Sequence, residues 1–555
     1  MRKDDKIQKL DFSDEFLLDS ASRRLDAGDY FGALTMLNKR NGMYEKNCDA
    51  SVLAADIYEG MGLYGLAVDA WFHFLDTCNE ADFPEGYEGL AVNYMNMGSE
   101  AQSAFYYNKL IATDEEMPAE SKLEIMRMFA KPAKPRLRVV YPPEEADDTE
   151  SVQKGVFYLK TGQLSEAKDA FSDIEKGSPN YAAARGLSAV CSLLQGNSKL
   201  AEEECLHILE ENPDDVQALS TYSAVLSEQG RDEESRRIAL RLARVQTDST
   251  DELYKIATVL CENDLDAEAL TVLSRLKEKL PYDNNILYFY AVAAYRTGER
   301  EAAIDALDRL CTIYPHAAVA RYYLTRMREA RDSGAKVETT YYYRVPQAEY
   351  DTVKNFLTAV SAASPEEAAQ VALLPEMDEF LWIAFDEMDG RDAKLQEVAL
   401  KVADQCRLDS FIRDILLDYQ GNDGMKLEIL ETLAARNEEN SFGTVLGHIY
   451  KEFFTHKIGI GGRKYKPFMK AFSVVYSRYG LLGEENERKL CAAAEETYRA
   501  LADREAWDYM DETAELACVI YREAHLRDGE RTIGAMAQLF DAKEPVVKDI
   551  LDQIL

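Results

Sequence analysis

The chain has 555 residues, of which 46% are hydrophobic and 10% aromatic, enough apolar side chains for several packed cores. Acidic residues outnumber basic residues by 100 to 64, and the resulting formal net charge of -36 disfavours nucleic acid and anionic membranes as partners. The nine cysteines are scattered without a C-x-x-C pair, and no apolar run approaches the roughly 18 residues of a membrane span. The sequence therefore predicts a soluble, cytoplasmic protein that contains several domains and needs no membrane.

The first region, residues 1–117, carries a regular turn signal. Gly28 and Gly62 lie 34 residues apart, and a third turn glycine, Gly98, follows with a shift of two residues. Apolar helical stretches flank each glycine, which is the pattern of two helices joined by a tight turn. This spacing predicts three helical hairpins.

Residues 118–150 interrupt the helical pattern. They form a proline-rich strap with five prolines and a basic run over 125–143, so most of this region cannot be helical, although a short helix is possible over 122–130. The run Arg136-Leu-Arg-Val-Val-Tyr141 is predicted to be extended. It is also too apolar for a solvated tether, so we expect a strap that packs on a neighbouring surface.

From 151 to 331 three independent ladders of residues keep a 34-residue step. The first holds Gly162, Gly196, Gly230 and Gly298, with Asp264 in the missing position; the second holds Pro179, Pro213, Pro281 and Pro315, with Thr247 in the missing position; the third holds Ala167, Ala201, Ser235, Ala269 and Ala303. A turn residue, a small packing residue and a terminal proline in one phase are typical of helical hairpins that bury their apolar faces against each other. The ladders predict five hairpins and a capping helix.

The first of these copies resembles a tetratricopeptide repeat (TPR) of bacterial type. The matching positions are Gly155, Tyr158, Gly162, Ala167, Phe171 and Pro179. The opening Trp and Leu of the family pattern are replaced by Ser151 and Lys154. The resemblance implies an all-α fold, an α-solenoid of TPR hairpins, and a role in binding a protein or peptide partner in its concave groove.

The resemblance also indicates which side chains line that groove. In two successive copies these are Tyr254, Thr258, Tyr288, Val292 and Tyr295. The Lys and Asn clamp with which chaperone-docking relatives hold a carboxyl terminus has no counterpart at these positions. The groove is thus predicted to be neutral and aromatic, suited to an apolar helix or an extended peptide. The alternative, that these tyrosines only pack neighbouring helices, stays open.

Beyond the repeats, residues 332–350 are predicted to form an extended linker, because Val337–Val345 is β-prone and is followed by Pro346. Residues 351–555 are predicted to form an irregular, HEAT-like α-helical region. A capping box at Ser364 and Glu367 marks the start of one helix. Further helices are predicted over 376–388, 391–406, 408–418, 424–436, 442–455, 467–480, 484–502 and 505–526.

A stretch without acidic residues lies at 453–483. Its centre carries Arg463, Lys464 and Lys466 beside several glycines, a composition suited to contact with an anion or an acidic partner. The competing interpretation is that the segment docks on the chain's own acidic surface.

The last residues, 530–555, resemble a bacterial helix-turn-helix unit in their apolar spacing. Asp541 replaces the usual turn glycine, and the second helix carries Glu544, Asp549 and Asp552 against only Lys548. A helix that reads DNA needs cations for phosphates, so this segment is poorly equipped for that role. A transcription-associated DNA-binding regulator is therefore the second interpretation of the chain.

Motifs of catalysis are missing from the sequence. The six histidines show no metal-ligand spacing, and no nucleophile elbow, phosphate-binding loop or dinucleotide fingerprint occurs. No catalytic residue, metal or cofactor is predicted, and an enzyme with an unrecognised site in the C-terminal half is the third interpretation. The sequence favours a non-enzymatic scaffold or adaptor whose oligomeric state and partner it does not specify.

Overall fold

A computed structural model describes residues 13–114, 116–129, 149–174, 176, 178, 180–374, 376–386, 392–526 and 532–554. The structure is 74% helical, with almost no sheet. The prediction of an all-α fold with an α-solenoid is therefore confirmed, and the HEAT-like character of the C-terminal region stays a prediction.

Three helical hairpins form the N-terminal region, followed by one further helix. The helices are α1 (Asp14–Asp26), α2 (Tyr30–Asn41), α3 (Cys48–Gly60), α4 (Tyr64–Thr77), α5 (Phe83–Asn96), α6 (Glu100–Thr113) and α7 (Ala119–Met128). The extended run predicted at 136–141 lies outside the described residues.

The 34-residue ladders correspond to eleven helices. They are α8 (Thr149–Lys160), α9 (Leu164–Ser172), α10 (Tyr181–Leu194), α11 (Ser198–Glu211), α12 (Val216–Glu228), α13 (Asp232–Leu242), α14 (Thr250–Glu262), α15 (Asp266–Lys279), α16 (Asn284–Thr297), α17 (Arg300–Ile313) and α18 (Ala318–Ser333). The five residues of the small-residue ladder are all buried, each with at most 1% exposure. Their small side chains let the two helices of a hairpin approach closely.

The turn between the helices of each hairpin needs a left-handed backbone. Gly230 adopts it with a φ of 71°, and Asp264 takes the missing position of the ladder with a φ of 50°. Aspartate is one of the few side chains that tolerate this conformation, because its short polar group can bond locally. The ladder therefore continues through Asp264 without a break in the fold.

The C-terminal helices are α19 (Gln347–Ser361), α20 (Pro365–Val371), α21 (Glu376–Asp386), α22 (Ala393–Gln405), α23 (Asp409–Leu417), α24 (Asp423–Ala435), α25 (Tyr465–Tyr479), α26 (Glu484–Asp503), α27 (Thr513–Glu523), α28 (Ile533–Leu539) and α29 (Glu544–Ile554). The predicted capping box is confirmed at the start of α20, where the Ser364 and Glu367 side chains bond each other's backbone amides.

The helix predicted over 442–455 is wrong. This stretch is an antiparallel hairpin of β1 (Asn440–Leu446) and β2 (Ile449–Thr455), with Leu446 opposite Ile449. Gly447 and His448 form its turn with φ angles of 56° and 64°. A two-residue turn with two positive φ angles matches the right-handed twist of paired strands and therefore favours a hairpin of these β-prone segments. The spacing of their apolar residues had suggested one helix instead.

The chain divides into two compact units. Unit 1 comprises the described residues of Met1–Ala130, Pro346–Phe385 and Gly390–Leu555, and unit 2 comprises those of Lys131–Val345 and Asp386–Asp389. Unit 1 thus combines the N-terminal hairpins with C-terminal elements, and unit 2 contains the 34-residue repeats.

Specific polar contacts join the two parts of unit 1. Tyr106 Oη donates to the main-chain carbonyl of His448 over 2.6 Å, and Tyr94 Oη lies 3.2 Å from His448 Nδ1. Asp76 pairs with Arg413 at 3.0 Å and accepts the Gly443 amide at 2.7 Å. The β-hairpin is therefore held against the N-terminal helices by bonds to both its turn and its first strand.

Candidate peptide-binding surface

The five residues predicted to line the groove lie on the first helices of neighbouring hairpins in unit 2. Tyr254 and Thr258 are on α14 and are half-buried. Tyr288, Val292 and Tyr295 are on α16, with exposures of 1%, 2% and 7%. We call the surface formed by α14, α16 and α18 the repeat face.

The chain's own residues 335–345, here called the linker segment, cover this part of the repeat face. Tyr288 Oη donates to the main-chain carbonyl of Thr340 at 3.0 Å, with the carbonyl of Tyr342 also near, at 3.3 Å. The main-chain amide of Val337 donates to Tyr295 Oη at 3.1 Å. Two of the predicted groove tyrosines therefore bind main-chain atoms of an extended segment.

The arginine that follows directly after Tyr295 also contacts the linker segment. Arg296 donates to the main-chain carbonyl of Thr339 at 2.7 Å and to its hydroxyl at 3.3 Å. Asp264 and Asp266 accept from the same guanidinium at 2.6 and 3.3 Å. The guanidinium also lies 4.7 Å from the centre of the Tyr341 ring, a cation–π distance. Arg296 is thus oriented by two carboxylates toward a bound main chain.

Further along the linker segment, Tyr323 of α18 donates its hydroxyl to the main-chain carbonyl of Arg344 at 2.9 Å. The Tyr343 ring meets the Tyr288 ring edge-on, with centroids 4.8 Å apart. Burial raises the pKa of Tyr288 well above its ordinary value, and the nearby Tyr323 adds to the effect. The Tyr288 hydroxyl therefore stays protonated and remains a donor at neutral pH.

The sequence predicted two of these side chains, Tyr288 and Tyr295, as groove residues and gave no sign of Arg296 and Tyr323. It also treated residues 337–345 as a connection only. One signal was available: the segment is rich in tyrosine and valine, too apolar for a solvated linker, the same reason that predicted a packed strap at 136–141.

The acid-free segment divides into an engaged part and an exposed part. Lys464 forms an ion pair with Asp511 of the same chain, and Arg478 pairs with Glu431 at 3.6 Å. Arg463 and Lys466 are exposed. Part of the positive charge is therefore used within the chain, and Arg463 and Lys466 remain candidates for contact with an acidic partner.

The helix-turn-helix-like segment consists of α28 and α29, and Asp541 in the turn between them has a φ of 54°. Val547, Ile550 and Leu551 of α29 are buried. Lys548, the sole cation of α29 in the sequence, pairs with Glu544 of the same helix at 2.6 Å. The exposed side of α29 therefore offers acidic groups where a DNA-reading helix needs cations.

Two further observations concern the described residues as a whole. Among them, no three or more His, Cys, Asp or Glu side chains come together as a metal site. No described helix has both the length and the apolarity that crossing a bilayer requires.

Helical hairpins with a left-handed turn, a buried small residue and a fixed 34-residue step define a class, the α-solenoid repeat proteins. Models of the tetratricopeptide repeat family match residues 158–221 and 287–317. The resemblance to tetratricopeptide repeats is thus confirmed for these residues, so the chain contains tetratricopeptide repeats, and the bacterial type stays a prediction. Folds of this family are known as protein-interaction scaffolds.

Solved structures with similar repeats include YrrB, described as a TPR protein with an unusual peptide-binding site, at 16% identity and a TM-score of 0.25, covering 32% of this chain and 92% of that one. A TPR protein from Parabacteroides merdae shares 13% identity with a TM-score of 0.27, covering 51% of this chain and 98% of that one. The yeast Sti1 TPR2AB domain in complex with pHSP90 shares 14% identity with a TM-score of 0.19, covering 48% and 97%. A comparison with curated proteins found no significant match.

Proposed function

We propose that this protein is a non-enzymatic scaffold that binds an extended segment of a protein partner on the repeat face. The observation that carries the proposal is that this face already holds an extended chain. Tyr288, Arg296 and Tyr323 each donate to a main-chain carbonyl of the linker segment. Main-chain recognition of this kind accepts extended peptides of varied sequence, and pockets for alternate side chains add selectivity.

The chemistry of the repeat face supports a peptide ligand over a small charged one. Its donors are tyrosine hydroxyls and one guanidinium, which Asp264 and Asp266 already pair. Aromatic side chains and arginine are the residue types most enriched at the centres of protein interfaces. All nine cysteines are free, which fits our proposal of a cytoplasmic location.

A photo-crosslinking experiment tests this function. Tyr254, at the half-buried end of the repeat face, is replaced by benzoylphenylalanine, whose inner ring matches that of tyrosine. Thr271, exposed on the second helix α15, receives the same residue as the matched control. We expect light-dependent capture of a specific protein from native lysate at position 254 and not at 271, and loss of that capture when Tyr288 and Tyr295 are changed to Ala. Equal capture at both positions would contradict the proposal.

The two other interpretations have their own tests. A gel shift of the full chain with genomic fragments at low salt tests DNA binding. The helix-turn-helix-like arrangement of α28 and α29 favours such binding, whereas the charge of α29 disfavours it. We expect no shift. An enzyme would need convergent titratable groups in a deep pocket, and activity screening of the full chain tests that interpretation.

A further inference from the structure

The occupant of the repeat face is part of the same chain, and this has a consequence for how a partner binds. We infer that the linker segment is a built-in competitor: a partner segment that copies its pattern binds the repeat face only by displacing it. The inference rests on the proposed function, because it concerns the regulation and partner class of that same face.

Most side chains of the linker segment alternate between the repeat face and solvent, although residues 341–344 bend and the Arg344 amide donates to the Tyr342 carbonyl at 2.8 Å. Val337, Thr339, Tyr341, Tyr343 and Val345 are buried or half-buried, as is Thr340, whereas Lys336, Glu338, Tyr342 and Arg344 are exposed. Apart from Thr340, every second side chain therefore faces the helices, the alternation expected where a chain is extended. Only these inward positions are available to select a ligand.

The inward positions define the chemistry of the partner. Tyr341 stacks near the Arg296 guanidinium and donates its hydroxyl to Asp266 at 2.7 Å. Two positions further on, the Tyr343 ring packs against Tyr288. The Tyr343 hydroxyl also donates to Asp386 at 3.0 Å. A matching partner segment therefore follows the same path and carries two tyrosines spaced by two, with a small or β-branched residue two positions before the first.

The way in which the linker segment is attached makes it replaceable. Tyr288, Arg296 and Tyr323 each donate a hydrogen bond to one of its main-chain carbonyls, which any extended peptide presents. Its advantage over a free peptide is therefore the covalent tether, which gives the segment an effective concentration in the millimolar range. A partner overcomes this advantage with better inward side chains, or when the linker segment is weakened.

Structured ends define the limits of what is displaced. α18 ends at Ser333, the following Gly334 turns the chain out of the helix with a φ of 72°, and Pro346 precedes the start of α19. The segment between these points is not helical, with bends at 341–344, and can leave the repeat face without unwinding either helix. Gly334 supplies the conformational freedom at one end.

The experiment measures binding of a synthetic fluorescent peptide with the sequence of residues 335–347 to the full-length chain by fluorescence anisotropy. Tyr341→Ala weakens only the tethered copy, so we expect it to tighten peptide binding at least tenfold over the unmodified chain. Tyr288→Phe removes the donor that both copies share, so we expect it to weaken binding in the Tyr341→Ala background. Tyr342→Ala, at an exposed position of the same segment, is the matched control and should change binding less than twofold.

Two measurements guard against misfolding. Circular dichroism should show unchanged helicity in Tyr341→Ala, and hydrogen exchange should quicken in residues 335–345 while α14 and α16 keep their protection. If Tyr341→Ala unfolds unit 2, Thr339→Gly, which removes one hydroxyl contact to Arg296, replaces it. A peptide that binds no variant, or binds Tyr341→Ala no better than the unmodified chain, overturns the inference.

Light scattering on the same samples identifies a second possible occupant. A dimer that forms in Tyr341→Ala and disperses on addition of peptide would support exchange of the segment, whereas a stable dimer of the unmodified chain would overturn the inference of an intramolecular competitor. The outcome is separable from the proposed function. Peptide exchange without any crosslinked protein at position 254 would refute the scaffold role and leave the competitor intact; the reverse result would refute only the competitor.

Discussion

Replacing Asp76 by Ala tests how strongly the N-terminal hairpins depend on the C-terminal part of unit 1. The Asp76 side chain is 8% exposed and pairs with Arg413, which is 31% exposed, at 3.0 Å. It also accepts the Gly443 amide at 2.7 Å. An amide left without an acceptor costs about 1–3 kcal/mol, and the lost charge-assisted bond contributes about 1.5–3 kcal/mol. Because Arg413 keeps its bond to the Ser441 carbonyl and some access to water, we expect a total loss of about 3 kcal/mol.

The chain offers a selective assay, since its three tryptophans, Trp71, Trp382 and Trp507, all belong to unit 1. Urea unfolding followed by tryptophan fluorescence therefore reports on this unit. With a denaturant slope of about 3 kcal/mol per molar, the expected loss lowers the midpoint by about 1 M. Glu88→Ala, an exposed change on α5, is the control and should stay within about 0.5 kcal/mol. An unchanged midpoint in Asp76→Ala, or an equal fall in both variants, would refute the assigned role of Asp76.

Three other substitutions have expected outcomes. Gly230→Ala places a methyl group on a backbone with a φ of 71°, where nothing lies close enough to clash with it. The free energy of unfolding, followed by circular dichroism, should therefore fall by the conformational cost alone, about 1–2 kcal/mol. A neutral effect would mean that the turn relaxes. Lys426→Met removes the donor to the carbonyls of Asp418 and Val445, at 2.5 and 2.7 Å, and should lower the free energy of unfolding in the tryptophan assay by about 2–4 kcal/mol. A more stable variant would show that the penalty for burying the ammonium exceeds the stabilisation from its two hydrogen bonds. Ala269→Leu inserts a large side chain at a position with 0% exposure and should lower the free energy of unfolding, measured by calorimetry, by about 1–3 kcal/mol. An unchanged stability would mean that the two helices of the hairpin move apart at no cost.

Features that repeat along the chain could be predicted from the sequence. A hairpin turn and a close helix contact each depend on residues within one copy, so their requirements recur every 34 residues and can be read as ladders. Asp264 shows how specific that reading is, because the residue placed in the glycine position does adopt a left-handed backbone. Tyr288 and Tyr295 were predicted to line the groove in the same way, by their place in the repeat.

Contacts between distant parts of the chain left no such pattern. The β-hairpin at 440–455 was read as a helix because apolar residues at mixed spacing satisfy a helical period over a short stretch. The two-residue turn at Gly447 and His448 is the local feature that distinguishes a β-hairpin from a single helix. The pairing of Arg296 with the linker segment depends on a return of the chain over 43 residues, which single-copy reasoning does not include.

Unit 1 is built from stretches that lie far apart in the sequence, so its parts leave the ribosome at different times and cannot fold together at once. Tyr106 bonds the carbonyl of His448, which lies 342 residues later. At a translation rate of about 5–20 residues per second, the N-terminal hairpins wait on the order of 20–70 s for this partner. Unit 2 is complete well before then and can fold while Asp76, Tyr94 and Tyr106 are still uncovered. The growing chain therefore presents an unfinished surface to the chaperones at the ribosome, and a ribosome that stalls in the repeats leaves that surface exposed.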